Sequence, residues 1–174
     1  MNASSRPPGL DGLSAADVAA ALQMQPHREG GHFRETYRSP ITIPTPRGPR
    51  SLCTAILYLL TAADPSRFHR LRFDEVWFYH AGAPAELVFL NPLETRVLGD
   101  GVPQVLVPGG RWMAARSIVP AGADLVQPVL PRADWTLVGC VVSPGFEYED
   151  FEQGEREILA QEHPEAVEYI RALT

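Results

Sequence analysis

Proline and glycine placement limits this chain more than any other feature. The 174 residues hold 17 prolines and 14 glycines. They are scattered between short apolar runs instead of gathering in one linker. Proline removes a backbone donor and glycine loosens the backbone, so long helices cannot run through the middle of such a chain. Many short strands joined by turns can. The runs "SLCTAILYLL" (51–60) and "WTLVGCVVS" (135–143) are the strongest strands. Weaker ones are expected at 32–38, 67–73, 75–80, 86–90, 95–98, 104–107 and 113–119. "SPITIPTPRGPR" (39–50) holds too many prolines for a central strand and reads as a loop.

Helices are expected only at the ends. Residues 14–25 form one, with Ser14 and Asp17 as an approximate capping box and Pro26 as the stop. Residues 155–174 form another, broken near Pro164. Strands and helices do not alternate, which argues against a doubly wound sheet. An all-β closed or double-sheet antiparallel barrel fits best. The expected organisation is a flexible tail over 1–12 and a single domain over 13–174, its barrel spanning about 31–152.

Net charge is −6 and no Lys/Arg-rich run stands out, so no nucleic-acid partner is expected. No apolar run approaches ~18 residues, so no spanning helix and no membrane partner are expected. The first residues lack a signal peptide's apolar core, which makes cytoplasmic the default. Cys53 and Cys140 sit in apolar runs and read as reduced, buried thiols.

One stretch breaks the apolar rule. "RFHRLRFDEVWFYHAGAP" (67–84) reads as two strands, yet carries six ionisable side chains of interest. Alternation along a strand puts His69 and Leu71 on one face, with Arg70 and Arg72 opposite. It puts Glu75, Trp77 and Tyr79 on one face, with Val76, Phe78 and His80 opposite. A turn at Phe73 and Asp74 lets His69 and Glu75 look into the same interior. A buried carboxylate is costly alone, so Glu75 needs a partner, a metal, water or a ligand.

The spacing of His69, Leu71, Glu75 and Gly82 resembles the first cupin motif, and "PGGRWM" (108–113) resembles part of the second. "PHREGGHFRETYRS", "RFHRLRFDEVWFYHAGAP", "VPGGRWMAAR" and "WTLVGCVVSPGFEYEDFE" together resemble an uncharacterised single-domain cupin subfamily, RmlC-like in fold, over roughly 15–155. The resemblance implies a cupin-type double-stranded β-helix, a jelly-roll barrel with flanking helices, a cavity of small-molecule size and a homodimer. It implies no particular reaction. In metal-binding cupins, the positions of His69 and Glu75 are ligands. Here Leu71 and Met113 stand where two further histidines would be, and neither suits a hard or borderline ion. No cofactor is required on this reading; a divalent metal at His69 and Glu75 would need recruits such as His32, His80 or Glu147.

Three functions follow as expectations. The first is binding of a small molecule, carbohydrate among the candidates, near His69 and Glu75. The second is metal-independent isomerisation or epimerisation of a sugar or sugar-nucleotide, with His69 as base and Tyr79 or Tyr58 as acid. The third is a metal-dependent enzyme with substituted ligands. Tyr58, Trp77, Phe89, Trp112 and Met113 are candidate cavity walls, and Arg116 is placed to face an anionic group. His80 reads as sheet exterior, His32 as structural or exposed, and His27 and His163 as surface residues; Glu29 and Glu35 flank the 32–38 strand and read as surface charges, with Glu35 within reach of the barrel mouth. "FEYEDFE" (146–152) reads as an acidic rim with alternate aromatics packed inward. The excursion over 117–132 is expected to act as a lid or to mediate self-association.

Overall fold

The computed structural model describes residues 9–10, 12–118 and 133–174. The expected tail lies largely outside the described residues, as does most of the 117–132 excursion.

Helix α1 (Ala15–Ala21) begins at the expected cap. Ser14 Oγ accepts from the Asp17 N–H at 3.2 Å, and the Asp17 carboxylate accepts from the Ser14 N–H at 3.3 Å. Aspartate therefore fills the place usually taken by glutamate. The helix ends before Pro26 because Gln23 enters the left-handed region, with φ 54°. Its C-terminal continuation is a two-residue strand, β1 (Gln25–Pro26).

The strands that follow are β2 (His32–Arg38), β3 (Thr42–Thr45), β4 (Gly48–Ser51), β5 (Thr54–Thr61), β6 (Ser66–Leu71) and β7 (Asp74–Gly82). After them come β8 (Ala85–Phe89), β9 (Glu94–Leu98), β10 (Gln104–Val107), β11 (Met113–Ser117), β12 (Trp135–Ser143) and β13 (Phe151–Gln153). Two short helices, α2 (Arg156–Glu162) and α3 (Val167–Ala172), close the chain around a 3-10 turn at Pro164–Ala166.

The strands form a six-stranded sheet in the order β1-β2-β5-β12-β7-β10 and a five-stranded sheet in the order β13-β6-β11-β8-β9. Every named pairing is antiparallel. The two sheets face each other as a jelly roll, and among the described residues no ladder joins them into a closed barrel. Their shared interior takes Tyr58, Trp77 and Val138 from one sheet, and Leu87, Phe89 and Met113 from the other. Each large apolar side chain buried there contributes roughly 1.5–3 kcal/mol.

The outer faces are covered unevenly. Phe68, Val88 and Ala114 of the five-stranded sheet pack under Leu159, Ile170 and Leu173 of the C-terminal helices. Val18 and Ala19 of α1 cover one end of the six-stranded sheet, over Leu59, Ala81 and Leu137. The remainder of that face holds Val76 and Phe78, half-buried, beside Leu106, which is 46% exposed. No helix among the described residues is long and apolar enough to cross a membrane.

The proline-rich 39–50 segment is a hairpin and not the expected loop. β3 and β4 pair only with each other, with Pro44 opposite Pro49. Two residues lacking N–H can face each other where the ladder asks for no donor, and an isolated two-stranded ribbon supplies that position.

Candidate functional site

The site begins with an irregularity in β6. Met113 pairs with His69, while Ala115, two residues on, pairs with Ser66, three residues back. This bulge puts an extra residue into β6 and allows Ser66 and His69 both to turn inward. Phe68 is left to pack outward under the helices. The ring of His69 is 2% exposed, and its Nδ1 lies 2.8 Å from the Arg67 carbonyl oxygen. A carbonyl can only accept, so Nδ1 carries a hydrogen and Nε2 is the nitrogen free to exchange one.

Nε2 points at Glu29, with 3.5 Å to Oε2. Glu29 is buried at 5% exposure, which corrects the reading of it as a surface charge. The residues beside it explain the difference. Gly30 and Gly31 have φ of 111° and 68°, and a Cβ on Gly30 would run into the Pro65 carbonyl. Only glycine permits this close turn. The turn is tied by His27 N–H to the Gly31 carbonyl at 2.9 Å, and the Glu29 carbonyl accepts from Arg67 N–H at 2.9 Å. The carboxylate is thus delivered into the barrel mouth. Its Oε1 accepts from Ser66 Oγ at 2.7 Å and from the Tyr58 hydroxyl at 2.8 Å. That same hydroxyl lies 2.7 Å from the Gly30 carbonyl. Burial and the neighbouring Glu29 raise Tyr58 well above the usual phenol range.

Glu75 enters from β7, opposite Val142 of β12. Trp77 Nε1 donates to its Oε2 at 2.7 Å. Burial pushes its pKa up from 4.5 to about 7, against the lowering pull of His69 and the Trp77 hydrogen bond. Burial and Glu75 in turn raise the Cys140 thiol well above its usual range. Cys140 and the half-buried Cys53 are both unpaired thiols, as expected.

Glu29, Tyr58, His69, Glu75 and Cys140 line one small cavity, about 50 Å³ in volume and open at its mouth. Phe33, Ile56, Leu71, Val142 and Phe146 supply its apolar wall. His27 lines it too and is no surface residue. Its Nδ1 accepts from the Glu29 N–H at 3.4 Å, and burial lowers its pKa, so the ring is a neutral acceptor. The Phe146, Tyr148 and Phe151 rings pack together at the mouth, and Phe151 stacks on His69 at 5.6 Å. Arg38 holds this segment down. It bonds Glu35 at 2.9 Å, Glu147 at 2.7 Å and the Phe146 carbonyl at 3.3 Å.

Residues 16–154 match the family described as Cupin superfamily (DUF985). The chain belongs to that family. Among solved structures, this cupin resembles a hypothetical protein from Leishmania major, with TM-score 0.81 at 32% identity over 93% of this chain and 99% of that one. Protein SO0799 from Shewanella oneidensis gives a TM-score of 0.77 at 32% identity, over 93% and 98%. An uncharacterized protein of Saccharomyces cerevisiae, YML079W, is 29% identical over 163 residues, 82% of this chain and 77% of the yeast protein.

The other residues singled out from the cupin sequence divide by strand parity. Trp77 and Met113 pack in the filled interior next to Tyr58 and do not line the cavity. Phe89 is deeper in the same core, with Arg111 at 4.6 Å from its ring. Trp112 and Arg116 share the parity of Ala114, which faces the helices. Trp112 accordingly lies under Arg70 at 4.5 Å, and Arg116 pairs with Glu86 at 2.7 Å. Neither reaches the cavity. The Tyr79 hydroxyl donates to the Gly82 carbonyl at 2.6 Å, and its ring packs against the core. His80 is exposed, as read, over Gly139. His32 is partly exposed, 3.8 Å from Asp64.

The donor set does not fit a metal centre. Among the described residues, no group of three or more His, Cys, Asp or Glu side chains is placed to hold an ion. His69 and Glu75 share the cavity with Leu71, which offers only carbon, and Met113 is buried beside His69.

Proposed function

We propose that this cupin binds a small organic molecule in the cavity lined by Glu29, His69 and Glu75. One observation carries the reading. Two buried carboxyl groups and an imidazole of fixed orientation converge on a space with apolar walls that is open to the outside. Stability alone would favour an apolar filling at these positions. A pocket of apolar walls with a few convergent polar groups is the usual form of a ligand site.

A second reading, metal-independent acid–base chemistry such as isomerisation, has its own support. His69 Nε2 is the exchangeable nitrogen, and Glu75 titrates near neutrality. Tyr58 rather than Tyr79 accompanies them in the cavity. A neutral sugar suits this better than a sugar-nucleotide, because no guanidinium among the described residues lines the cavity to meet a diphosphate. We also propose that a second copy of the chain covers the Val76, Phe78 and Leu106 face.

The test is a thermal-shift screen of small organic molecules against wild type, His69→Ala and Glu75→Gln. Hits are expected to stabilise wild type and to lose their effect in both variants. Equal stabilisation of all three proteins contradicts the proposal.

A further inference from the structure

The charges facing the cavity are one-sided. Glu29 and Glu75 are buried in it, and Glu35 stands at its mouth. Among the described residues, the imidazoles of His27 and His69 are the only groups there able to become cationic, and His27 is held neutral as an acceptor from the Glu29 N–H. The chain contains no lysine; its 15 basic residues are all arginine. None of those among the described residues lines the cavity. The nearest at the mouth are already used: Arg38 on Glu35 and Glu147, and Arg28 over the Tyr148 ring at 4.1 Å. One imidazole, His69, cannot offset two carboxylates.

The walls point the same way. Phe33, Phe146 and Tyr58 present rings to the space, and aromatic faces attract cations. We infer that the cavity takes a small organic cation, an ammonium-bearing molecule whose charge is met by Glu29 and Glu75 and whose carbon skeleton lies against Phe33, Ile56 and Phe146. This deepens the proposed binding function and rests on it. An anion would face two carboxyls with one imidazole to offset them. A neutral polyol would satisfy hydrogen bonds but leave the buried carboxylate of Glu75 uncompensated.

Three probes of one shape decide between these classes: benzylamine, benzyl alcohol and benzoate, titrated calorimetrically into the wild-type protein at mildly alkaline pH. Benzylamine is expected to bind about tenfold or more tighter than benzyl alcohol, with benzoate weakest. Glu75→Gln is expected to weaken benzylamine by about tenfold and narrow its lead. Ile56→Trp fills the cavity and should abolish binding. If benzyl alcohol or benzoate binds as tightly as benzylamine and Ile56→Trp abolishes that binding, the cavity function stands and the cation inference is overturned. Binding of no probe, or binding that survives Ile56→Trp, overturns both.

Discussion

His69 Nε2 stands 3.5 Å from Glu29 Oε2, and these two residues come from different elements, one on a bulged strand and the other in a glycine turn. Neither holds its position alone. The Arg67 carbonyl orients the imidazole, while Ser66 and Tyr58 hold the carboxylate.

Removing Glu29 should therefore be expensive. Glu29→Ala leaves the buried Ser66 hydroxyl without its carboxylate acceptor, leaves the Tyr58 hydroxyl only the Gly30 carbonyl, and empties the space beside His69 Nε2. The expected loss is on the order of 3 kcal/mol in urea unfolding, with Glu29→Gln milder because it keeps an acceptor oxygen. An alanine variant within about 0.5 kcal/mol of wild type would show that the contact is incidental.

Much of this arrangement could be read before the structure. Alternation along "RFHRLRFDEVW" turns His69 and Glu75 inward, and both line the cavity. The expectation that Trp112 and Arg116 face the cavity fails, because both share the parity of Ala114, opposite to Met113, and so turn outward. Glu29 was less accessible. It lies in a turn with no periodicity, and its only signal is the Gly30 and Gly31 pair, which marks a close backbone approach without saying what is delivered. The 39–50 hairpin was hidden for a different reason: proline content argues against central strands but not against a lone ribbon.

Gly30 carries the turn, and alanine there meets both a left-handed φ and the Pro65 carbonyl. Gly30→Ala should cost about 2 kcal/mol or more and weaken any cavity ligand, because Glu29 is displaced. Thermal melts with and without a ligand from the screen check both effects. A variant with wild-type melting and binding would contradict this account of the turn.

Glu75 makes stability depend on pH. Below pH 4.5 its carboxyl is protonated in both the folded and unfolded chain and adds no penalty. Between 4.5 and about 7 the unfolded chain loses the proton first, so stability falls as pH rises. Above about 7 the penalty is complete, on the order of 3 kcal/mol. Glu75→Gln should flatten the melting temperature across this window. A wild-type profile that rises through the same window, with Glu75→Gln following it, would place the titration elsewhere.

The exposed sheet face predicts self-association. Val76 opposes Leu106 in the register of β7 and β10, and Phe78 lies two residues on. Wild type is expected to run as a dimer in light scattering after size exclusion, and Val76→Asp as a folded monomer. A wild-type monomer would remove the proposal.

The cavity also has a built-in reporter. Of the 3 tryptophans, only Trp77 donates its indole N–H to Glu75, whereas that of Trp135 donates to the Leu13 carbonyl far from the cavity. The most direct test is the nitrogen-15 correlation spectrum of the indole groups as a stabilising compound is added. Occupation of the cavity at Glu75 predicts that the Trp77 signal moves with saturation while those of Trp135 and Trp112 stay in place. Compounds that stabilise the protein yet leave Trp77 unmoved would mean that the ligand site lies elsewhere.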